Sequence, residues 1–544
     1  MFIEPVFGKK FFGREEVLAT LHKRVNALKG GYRQNLALTG PMLAGKSSIL
    51  RHFLKNIKDP DVIPLYIEMT GEDFNVFCRR LMASLLFHYL RSLGVKADPS
   101  FDDLKDICRE IVPATVASMD DIHKALKQRK YDDAYEKLLS LTSVFKKETG
   151  KSCIVILDEF HYLSNFRLKR PFQTFGKFIM VQKNTMYIVS SSQKTLLREI
   201  LSRKLSLLFG NFEVIEVNGF DNQTARSFIS DKINNATSTE SVKNYIIQVS
   251  RRNPFYLEVL AHRFTELAKR GDVKRDDKEC MLDAFAELLY SADGILNQYF
   301  TNNMSFFLEK KSRKKFIPVL VSLAKGNSTI KAVQDDLGRA DKDMSGKLRR
   351  LQHMDLVYNS GVFYRIDDKL FEYWLRNVYA LKTRSEIDDL DIKYLEFKRS
   401  IDEDYSRYCE FCSKNVTDVL CDLFSSFRNE KVRISMNDRI MPQFEKVKSR
   451  PLSDNVHEIA GCEGNRKWVC HVKQNDIADE NDIYNLWAIK PGAGSEKITR
   501  KIFMPLKRIE HNAYLLAKEQ NIWVWDIQQM NDILRLYGKF ELVL

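Results

Sequence analysis

The 544-residue sequence predicts an α/β protein whose first part is a parallel five-stranded sheet. Two observations carry this prediction. Short apolar runs of strand length alternate with longer stretches of helical periodicity, and a glycine-rich loop joins the first run to the helix pattern that follows it. Buried strands that are connected by helices form parallel sheets with helices on both faces.

The five predicted strands are separated by helical patterns. They are Asn35–Thr39, Val62–Glu68, Cys153–Leu157, Thr185–Val189 and Phe212–Val217. The third run is apolar throughout, as expected of a strand that is buried on both faces. The segment from Val95 to Lys130 contains Pro99 and Pro113, and we expect it to be the least structured part of this region.

Composition describes an ordinary folded protein. Hydrophobic residues make up 44% and charged residues 29% of the chain, which excludes disorder as the main state. No stretch of 18 apolar residues occurs and the start lacks the pattern of a signal peptide, so we expect a cytoplasmic protein without a membrane partner. The nine cysteines have no regular spacing, which favours reduced thiols. The net charge of +14 permits a nucleic-acid partner without establishing one.

The segment Gly40–Ser47 fits the pattern G-x-x-x-x-G-K-[ST] between a predicted strand and a predicted helix. In this motif, backbone N–H groups at the start of the helix surround phosphates, the lysine adds a cation, and the serine hydroxyl binds Mg²⁺. The motif therefore predicts ATP and Mg²⁺ as cofactors. The predicted nucleotide-binding residues are Gly40, Pro41, Met42, Leu43, Ala44, Gly45, Lys46, Ser47 and Ser48, with Lys46 also catalytic and Ser47 also a metal ligand.

A second acidic motif follows the third predicted strand. Asp158 at its end is expected to bind the metal, and Glu159 is expected to polarise a water for attack on the γ-phosphate. One strand lies between the two motifs, which indicates the branch of P-loop proteins that has an additional strand and a catalytic glutamate. The polar residues 190–193 follow the next strand; Ser191 is a candidate for sensing the γ-phosphate or the attacking water, and a plain turn is the alternative.

Taken in order, four segments resemble the archaeal-type ATPase family, which belongs to the STAND ATPases and is related to AAA+ proteins. They are Phe12–Glu16, Gly40–Ser48, Leu157–Leu163 and Arg252–Leu257. The resemblance covers about residues 6–380, and it implies a nucleotide site with a helical lid and a winged helix after it. It also implies that Phe12, Gly13 and Arg14 pack beside the adenine; an ordinary helix start is the alternative.

The sequence departs from the family pattern at two places. Where the family has Gly-Gly before Asn-Pro, this chain has Arg251 and Arg252, which could reach the γ-phosphate or form a solvated surface pair. Where the family often has a candidate arginine finger, this chain has Asn211. An arginine finger contributes orders of magnitude to the rate, so we expect slow turnover, or an arginine from Arg198, Arg203, a second copy or a partner.

Three helix patterns and a hairpin between Phe316 and Tyr373 indicate a winged helix. Lys347, Arg349 and Arg350 on its third helix are candidate contacts to double-stranded DNA. Packing of this module against the ATPase core is the alternative.

The strand order after residue 386 resembles the restriction-endonuclease-like domain that is attached to many archaeal-type ATPases. In the nuclease pattern, Glu458 and Lys473 match, whereas His471 replaces an acid. Because hard metals prefer oxygen ligands, this replacement weakens the site. A degenerate domain for binding or recognition is favoured over one that cuts nucleic acid.

These patterns predict four domains: an ATPase core at 1–220, a helical lid at 221–300, a winged helix at 301–385 and the nuclease-like domain at 386–544. The function they favour is an ATP-binding, slowly hydrolysing molecular switch that acts on a target such as DNA. Two alternatives stay open. One is a nucleic-acid-binding protein or weak nuclease with a structural nucleotide, and the other is a signalling scaffold that recognises protein.

Overall fold

The structure is a computed structural model that describes residues 4–205, 212–233, 239–269, 276–307, 310–338, 341–384, 389–434, 437–490 and 497–542. The chain divides into two compact units. The first comprises Met1–Thr224 with Asn253–Phe255, and the second comprises Ala225–Arg252 with Tyr256–Leu544. In the described residues no helix is both long and apolar enough to cross a membrane.

The first unit is built on a parallel sheet, as predicted. Its strands are β1 (Asn35–Thr39), β2 (Val62–Glu68), β3 (Ser152–Asp158), β4 (Thr185–Ser191) and β5 (Phe212–Glu216). Their order in the sheet is β2-β3-β4-β1-β5, and every neighbouring pair is parallel. The register places Thr39 beside Ser191 and Glu68 beside Asp158, so the carboxyl ends of four strands meet at one edge.

Alternation along the strands divides the buried side chains between two cores. Leu36 and Leu38 belong to the core on one face of the sheet, whereas Ala37 belongs to the core on the other face. Successive side chains of a strand point to opposite faces, so a strand covered on both sides is apolar at every position. The helices that supply the two covers are α1 (Glu15–Lys29), α2 (Lys46–Asn56), α3 (Phe74–Ser92), α4 (Phe101–Ile111), α5 (Pro113–Lys127), α6 (Tyr131–Thr149), α7 (Pro171–Val181) and α8 (Lys194–Glu199).

The expectation that Val95–Lys130 is the least structured segment is wrong. Helices α4 and α5 occupy most of it, and one face of each helix is buried, with Leu104 on α4 and Met119 on α5 among the buried residues. Pro113 lies at the first position of α5, where a missing N–H costs nothing. Pro113 therefore marks a helix boundary, whereas Pro99 lies in the short loop before α4.

The second unit contains most of the remaining helices. They are α9 (Asn222–Ile233), α10 (Glu240–Val249), α11 (Pro254–Ala268), α12 (Asp277–Phe285), α13 (Ile295–Phe307), α14 (Lys310–Ala324), α15 (Ile330–Asp336), α16 (Met344–His353), α17 (Lys369–Trp374), α18 (Ala380–Arg384), α19 (Leu390–Ser413), α20 (Val416–Phe424), α21 (Glu480–Trp487), α22 (His511–Glu519) and α23 (Ile527–Leu536). The three helices α14, α15 and α16 precede an antiparallel pair, β6 (Val357–Ser360) and β7 (Phe363–Ile366), as the sequence predicts.

The C-terminal part carries a mixed sheet of five strands. A small antiparallel pair, β8 (Glu430–Ile434) and β9 (Asn437–Met441), precedes it. The sheet itself contains β10 (Lys446–Ser453), β11 (Val456–Glu463), β12 (Arg466–Lys473), β13 (Lys497–Pro505) and β14 (Trp523–Val524), in that order. The first two pairings are antiparallel and the last two are parallel. Strands β9, β10 and β13 were not predicted, because polar and charged residues interrupt their apolar patterns.

Candidate nucleotide-binding site

The glycine-rich loop connects β1 to α2, and the structure explains why glycine is required at its two outer positions, 40 and 45. A Cβ atom on Gly40 would lie 2.0 Å from the carbonyl oxygen of Val217, because Val217 continues β5 beside the end of β1 and donates its N–H to Thr39. Gly45 has φ +93°, a left-handed conformation that suits glycine, and α2 begins directly after it. The loop thus delivers the N-terminus of α2 to the carboxyl edge of the sheet.

Lys46 is the first residue of α2 and is 5% exposed. Its Nζ donates hydrogen bonds to the carbonyl oxygens of Gly40 and Pro41, at 2.9 and 2.8 Å. The ammonium group therefore lies inside the curve of the loop, beside the start of a helix. A helix N-terminus and a buried cation together form a binding site for an anion such as phosphate.

The other predicted loop residues have different roles in the structure. Leu43 adopts φ +62°, and Ala44 is fully buried. The hydroxyl of Ser48 accepts a hydrogen bond from the N–H of Val6 at 3.0 Å, which ties the N-terminal segment to α2. Pro41 and Met42 lie partly exposed in the same loop. Ser48 thus engages the N-terminal segment as well as belonging to the motif.

The carboxylate of Asp158 is the centre of a buried network at the end of β3. Its Oδ2 accepts hydrogen bonds from Ser47 Oγ at 2.6 Å and from the hydroxyl of Tyr66 at 2.7 Å, and its Oδ1 accepts one from Ser190. Burial raises the pKa of Tyr66, and the negative charge of Asp158 raises it further, so the phenol stays protonated as a donor. Serine and aspartate oxygens are the ligands that Mg²⁺ prefers, so Ser47 and Asp158 fit a magnesium site.

Glu159 follows directly and adopts a left-handed conformation with φ +55°. Its Oε2 accepts two hydrogen bonds from Ser192, from the N–H and from the hydroxyl, each of 2.9 Å. Burial raises the pKa of Glu159 and the charge of Asp158 raises it further, whereas the bonds from Ser192 and the charge of Lys46 lower it. A carboxylate held in this way can act as a general base.

His161 connects this carboxylate to the end of β4. Its Nδ1 lies 2.9 Å from Ser191 Oγ and 3.3 Å from Glu159 Oε2, and its Nε2 lies 3.3 Å from the side-chain nitrogen of Gln193. Burial lowers the pKa of His161 to about 4, although the charge of Asp158 opposes the shift. The imidazole is therefore neutral near pH 7. Ser191, the predicted sensor, thus contacts His161 and reaches Glu159 only through it.

The residues expected beside the adenine form a second cluster near the glycine loop. The guanidinium of Arg14 donates to the carbonyl oxygens of Ala44, Asn218 and Gly219 and lies 4.8 Å from the centre of the Phe220 ring. Burial lowers the pKa of Arg14 to about 10. The ring of Phe12 meets Phe220 edge to face at 6.2 Å.

Gly13 has φ +64°, and a Cβ atom on it would lie 2.8 Å from the methyl group of Thr224. This segment therefore has tight local packing beside the loop, which an ordinary solvated helix start does not require.

Of the three residues predicted to contact DNA, two are exposed and the third forms an ion pair within the protein. Arg349 and Arg350 on α16 are exposed. The Nζ of Lys347 forms an ion pair with Asp341, and its side chain is only 12% exposed. Lys347 is therefore poorly placed to contact a phosphate directly, unlike its two neighbours.

The nuclease-like residues share one face of the C-terminal sheet, since Glu458 on β11 pairs in register with His471 on β12. However, each charged group has another partner. Both oxygens of Glu458 accept hydrogen bonds from Arg450, at 2.8 and 3.1 Å, and Lys473 Nζ lies 2.6 Å from Asp482. Burial lowers the pKa of His471 to about 4. Within the described residues, no group of three or more His, Cys, Asp or Glu side chains is arranged to hold a metal ion.

The arginines proposed to replace an arginine finger form ion pairs with nearby acids. Arg198 pairs with Glu216, and Arg203 lies 3.4 Å from Glu199. Asn211 lies outside the described residues. Arg252 does not form a solvated pair, because it donates to Glu541 at 2.9 Å, and Glu541 is buried.

Sequence reasoning gave no role to Tyr66 or His161, and within the predicted polar cluster 190–193 it favoured Ser191 over Ser190 and Ser192. All four residues are brought to Asp158 or Glu159 by a neighbouring strand end or by the short helix Phe160–Asn165. One signal could have found Tyr66, because polar residues near the carboxyl ends of parallel strands meet at one edge of the sheet.

The segment that contains the glycine loop and the acidic strand end is similar to a known protein family. Residues 10–172 match the family model described as an AAA ATPase domain. This segment is therefore similar to the AAA ATPase domain, a type of domain that generally binds ATP and Mg²⁺.

Individual proteins are similar over longer stretches. An uncharacterized ATP-binding protein of Methanocaldococcus jannaschii is 23% identical over 274 residues, which cover 46% of this chain and 69% of that protein. Among solved structures, a Walker-type ATPase of Pyrococcus abyssi aligns with a TM-score of 0.46 at 16% identity, over 68% of this chain and 97% of that one. The ORC2 protein of Aeropyrum pernix aligns with a TM-score of 0.42 at 12% identity, over 70% and 98% respectively.

Proposed function

We propose that the protein is a magnesium-dependent ATPase that works as a slow molecular switch and couples its nucleotide state to binding of double-stranded DNA. The arrangement of Lys46, Ser47, Asp158 and Glu159 is the observation that carries this proposal. It joins an anion site, a set of oxygen ligands and a base at one edge of the sheet. In this function, residues 1–220 are the ATPase core, 221–300 the helical lid, 301–385 the winged helix and 386–544 a recognition domain.

The residues divide the chemistry among them. Lys46 and the start of α2 bind the β- and γ-phosphates, and Ser47 with Asp158 holds Mg²⁺. When bound, Mg²⁺ neutralises the charge that develops on the phosphate oxygens. Glu159 orients the attacking water and accepts its proton. The raised pKa of Glu159 makes it a stronger base than an exposed glutamate.

We expect slow hydrolysis because the two arginines considered as arginine fingers are already engaged in ion pairs. Both Arg198 and Arg203 are occupied in ion pairs with glutamates of the same region. A missing arginine finger lowers the rate by about 10³- to 10⁵-fold. We therefore assign the missing cation to a second copy of this chain or to a protein partner.

The DNA part of the proposal depends on the surface around α16. A depression of about 450 Å³ there is lined by four cationic side chains and only two acidic ones. They are Lys315, Lys342, Lys347 and Arg350, against Asp341 and Asp343. Together with exposed Arg349, this surface matches the charge and helix placement with which winged modules contact phosphates.

The test is ATP turnover by the full chain with and without double-stranded DNA, together with equilibrium ATP binding. Lys46→Ala serves as the blank for contaminating activity. Glu159→Gln should retain ATP and lose at least about 10²-fold in turnover, since it keeps the shape of the base and removes its proton affinity. Glu110→Gln, an exposed change on α4, is the matched control and should behave like the parent.

Different results test ATP binding, the role of Glu159 and the DNA partner separately. Failure to bind ATP would overturn all of it. Unchanged turnover in Glu159→Gln would remove Glu159 as the base. Binding and turnover that DNA does not alter would contradict the DNA partner and would favour the scaffold alternative, in which the second unit recognises protein.

A further inference from the structure

The second unit contains a cavity of about 110 Å³ that is lined by more cationic than acidic side chains. Seven arginines and lysines line it, against three acids. They come from the turn after α10, strand β7, α17 and the helical turn after it, α19, α23 and the segment after α23. We propose that this cavity, which we name the C-terminal basic cavity, binds a small oxyanion of the phosphate class, and that Glu541 competes with that anion from within the chain.

The acids do not neutralise the cations of the cavity. Asp404 accepts hydrogen bonds from the hydroxyl of Tyr245 at 3.0 Å and from Arg407 at 2.6 Å. Glu372 lies 3.6 Å from Lys369. Four of the seven cations form no hydrogen bond or ion pair with these acids: Arg251, which pairs with Asp367, and Arg365, Arg376 and Lys539.

Several buried polar atoms at the cavity have no hydrogen-bond partner. They are the Nε atoms of Arg365 and Arg535 and the side-chain oxygen of Gln248. Gln248 is 7% exposed. Arg365 uses a terminal nitrogen to bond the carbonyl oxygen of Leu536 at 2.7 Å, which leaves its Nε free. Buried N–H groups of this kind require an acceptor, and an oxyanion supplies several at once.

Glu541 shows how an anion is bound there. Its carboxylate accepts a hydrogen bond from Arg252 at 2.9 Å and lies 3.6 Å from the Nε of Arg535, a distance too long for a hydrogen bond. The arginines Arg252 and Arg535 lower the pKa of Glu541 against the effect of its burial, so the group is charged. One carboxylate therefore lies between two guanidinium groups, of which Arg535 also forms an ion pair with Asp532.

The backbone beside the cavity is strained in a way that serves these contacts. Arg251 and Arg252 both have left-handed conformations, with φ +48° and +60°, although neither is glycine. Arg251 donates to the carbonyl oxygen of Asp367, and Arg252 donates to Glu541. Strained conformations of this kind concentrate at ligand sites, where the surroundings hold them in place.

Size and chemistry limit the ligand. A volume of about 110 Å³ is large enough for one or two phosphoryl groups. Guanidinium groups bind phosphate oxygens in pairs, so a multivalent phosphate is preferred to a carboxylate. The ligand is thus a free small phosphate, such as inorganic phosphate or pyrophosphate.

The experiment uses the full chain with Lys46→Ala, so that the glycine loop does not contribute anion binding. Inorganic phosphate and pyrophosphate are titrated by calorimetry at constant ionic strength set with chloride. We expect one saturable site for at least one of the two anions. In this background, Arg365→Gln should weaken binding by about tenfold or more, which corresponds to loss of one charge-assisted contact. Glu541→Gln should strengthen binding by several fold, because it removes the internal competitor.

Arg399→Gln, an exposed arginine on α19 that does not line the cavity, is the matched control and should leave the affinity unchanged. If Arg365→Gln does not fold, as judged by circular dichroism, Lys539→Gln replaces it and should also weaken binding. Absence of a saturable site up to about 10 mM of either anion would overturn the proposal. Equal affinities in the parent and in the cavity variants, or weaker binding in Glu541→Gln, would overturn it as well.

Discussion

Glu159 Oε2 accepts both hydrogen bonds that Ser192 can donate, from its backbone N–H and from its hydroxyl, each at 2.9 Å. The two residues follow adjacent strands, β3 and β4. Each strand therefore contributes one half of the contact, and the carboxylate is held in place before any substrate binds. This relationship determines the first prediction.

Ser192→Ala should move the acid limb of the pH profile of ATP turnover to higher pH. A general base must be deprotonated, so turnover falls as the pH drops through the pKa of Glu159. The Ser192 hydroxyl lowers that pKa, and its removal raises it. Steady-state turnover between pH 5 and 9 measures the shift. Ser192→Thr keeps a hydroxyl and should restore the parent profile, whereas Ser140→Ala on α6 should not alter it; an unshifted limb in Ser192→Ala would separate Ser192 from catalysis.

Arg349→Ala with Arg350→Ala should reduce the salt dependence of DNA binding by about two units of slope, since each phosphate contact contributes about 0.9. Fluorescence anisotropy with double-stranded DNA at several salt concentrations gives this slope. Lys347→Ala is the internal comparison. Because Lys347 is already paired with Asp341, its slope should equal that of the parent. A larger effect from Lys347 than from the two arginines would place the interface elsewhere.

His471→Gln should flatten the pH dependence of stability between about pH 4 and 6.5. Burial lowers the pKa of His471 to about 4 in the folded protein, whereas the unfolded chain takes up the proton near pH 6.5. The unfolded state thus binds more protons in this window, so stability falls as the pH falls through it, by up to about 3 kcal/mol for this group. Thermal unfolding of the parent and the variant at several pH values measures the difference, and parallel curves would contradict the prediction.

Gly40→Ala should destabilise the first unit by about 2 kcal/mol or more and weaken ATP binding. A methyl group at this position would overlap the carbonyl oxygen of Val217, so the end of β1 and the end of β5 must separate. Gly94→Ala is the control, because it has a left-handed φ of +76° but nothing within 4 Å of the added methyl group. Chemical denaturation gives the free energy of unfolding of both variants, and so compares the steric clash at residue 40 with the backbone strain at residue 94. Equal losses would show that the Val217 contact has no special importance.

Local signals were sufficient to predict the five strands of the first sheet and the helices and hairpin between Phe316 and Tyr373. Apolar runs and 3.6-residue periods require only neighbouring residues to be recognised. The same approach failed for Val95–Lys130, because the sequence alone does not distinguish a proline at the first position of a helix from a proline within an irregular loop. It also missed β10, since this strand is mostly exposed and carries charged side chains.

The sequence by itself determined the glycine loop, the acidic strand end and the residue types able to bind phosphate and Mg²⁺, because these lie within short segments whose order is sufficient to define them. Only the tertiary structure decided which groups those residues meet. It joined His161 and Ser192 to Glu159, engaged Glu458 with Arg450, and brought Arg252 to Glu541 across 289 positions of the chain. Partners of a charged side chain are set by strand order and register, and these depend on the packing of the whole core.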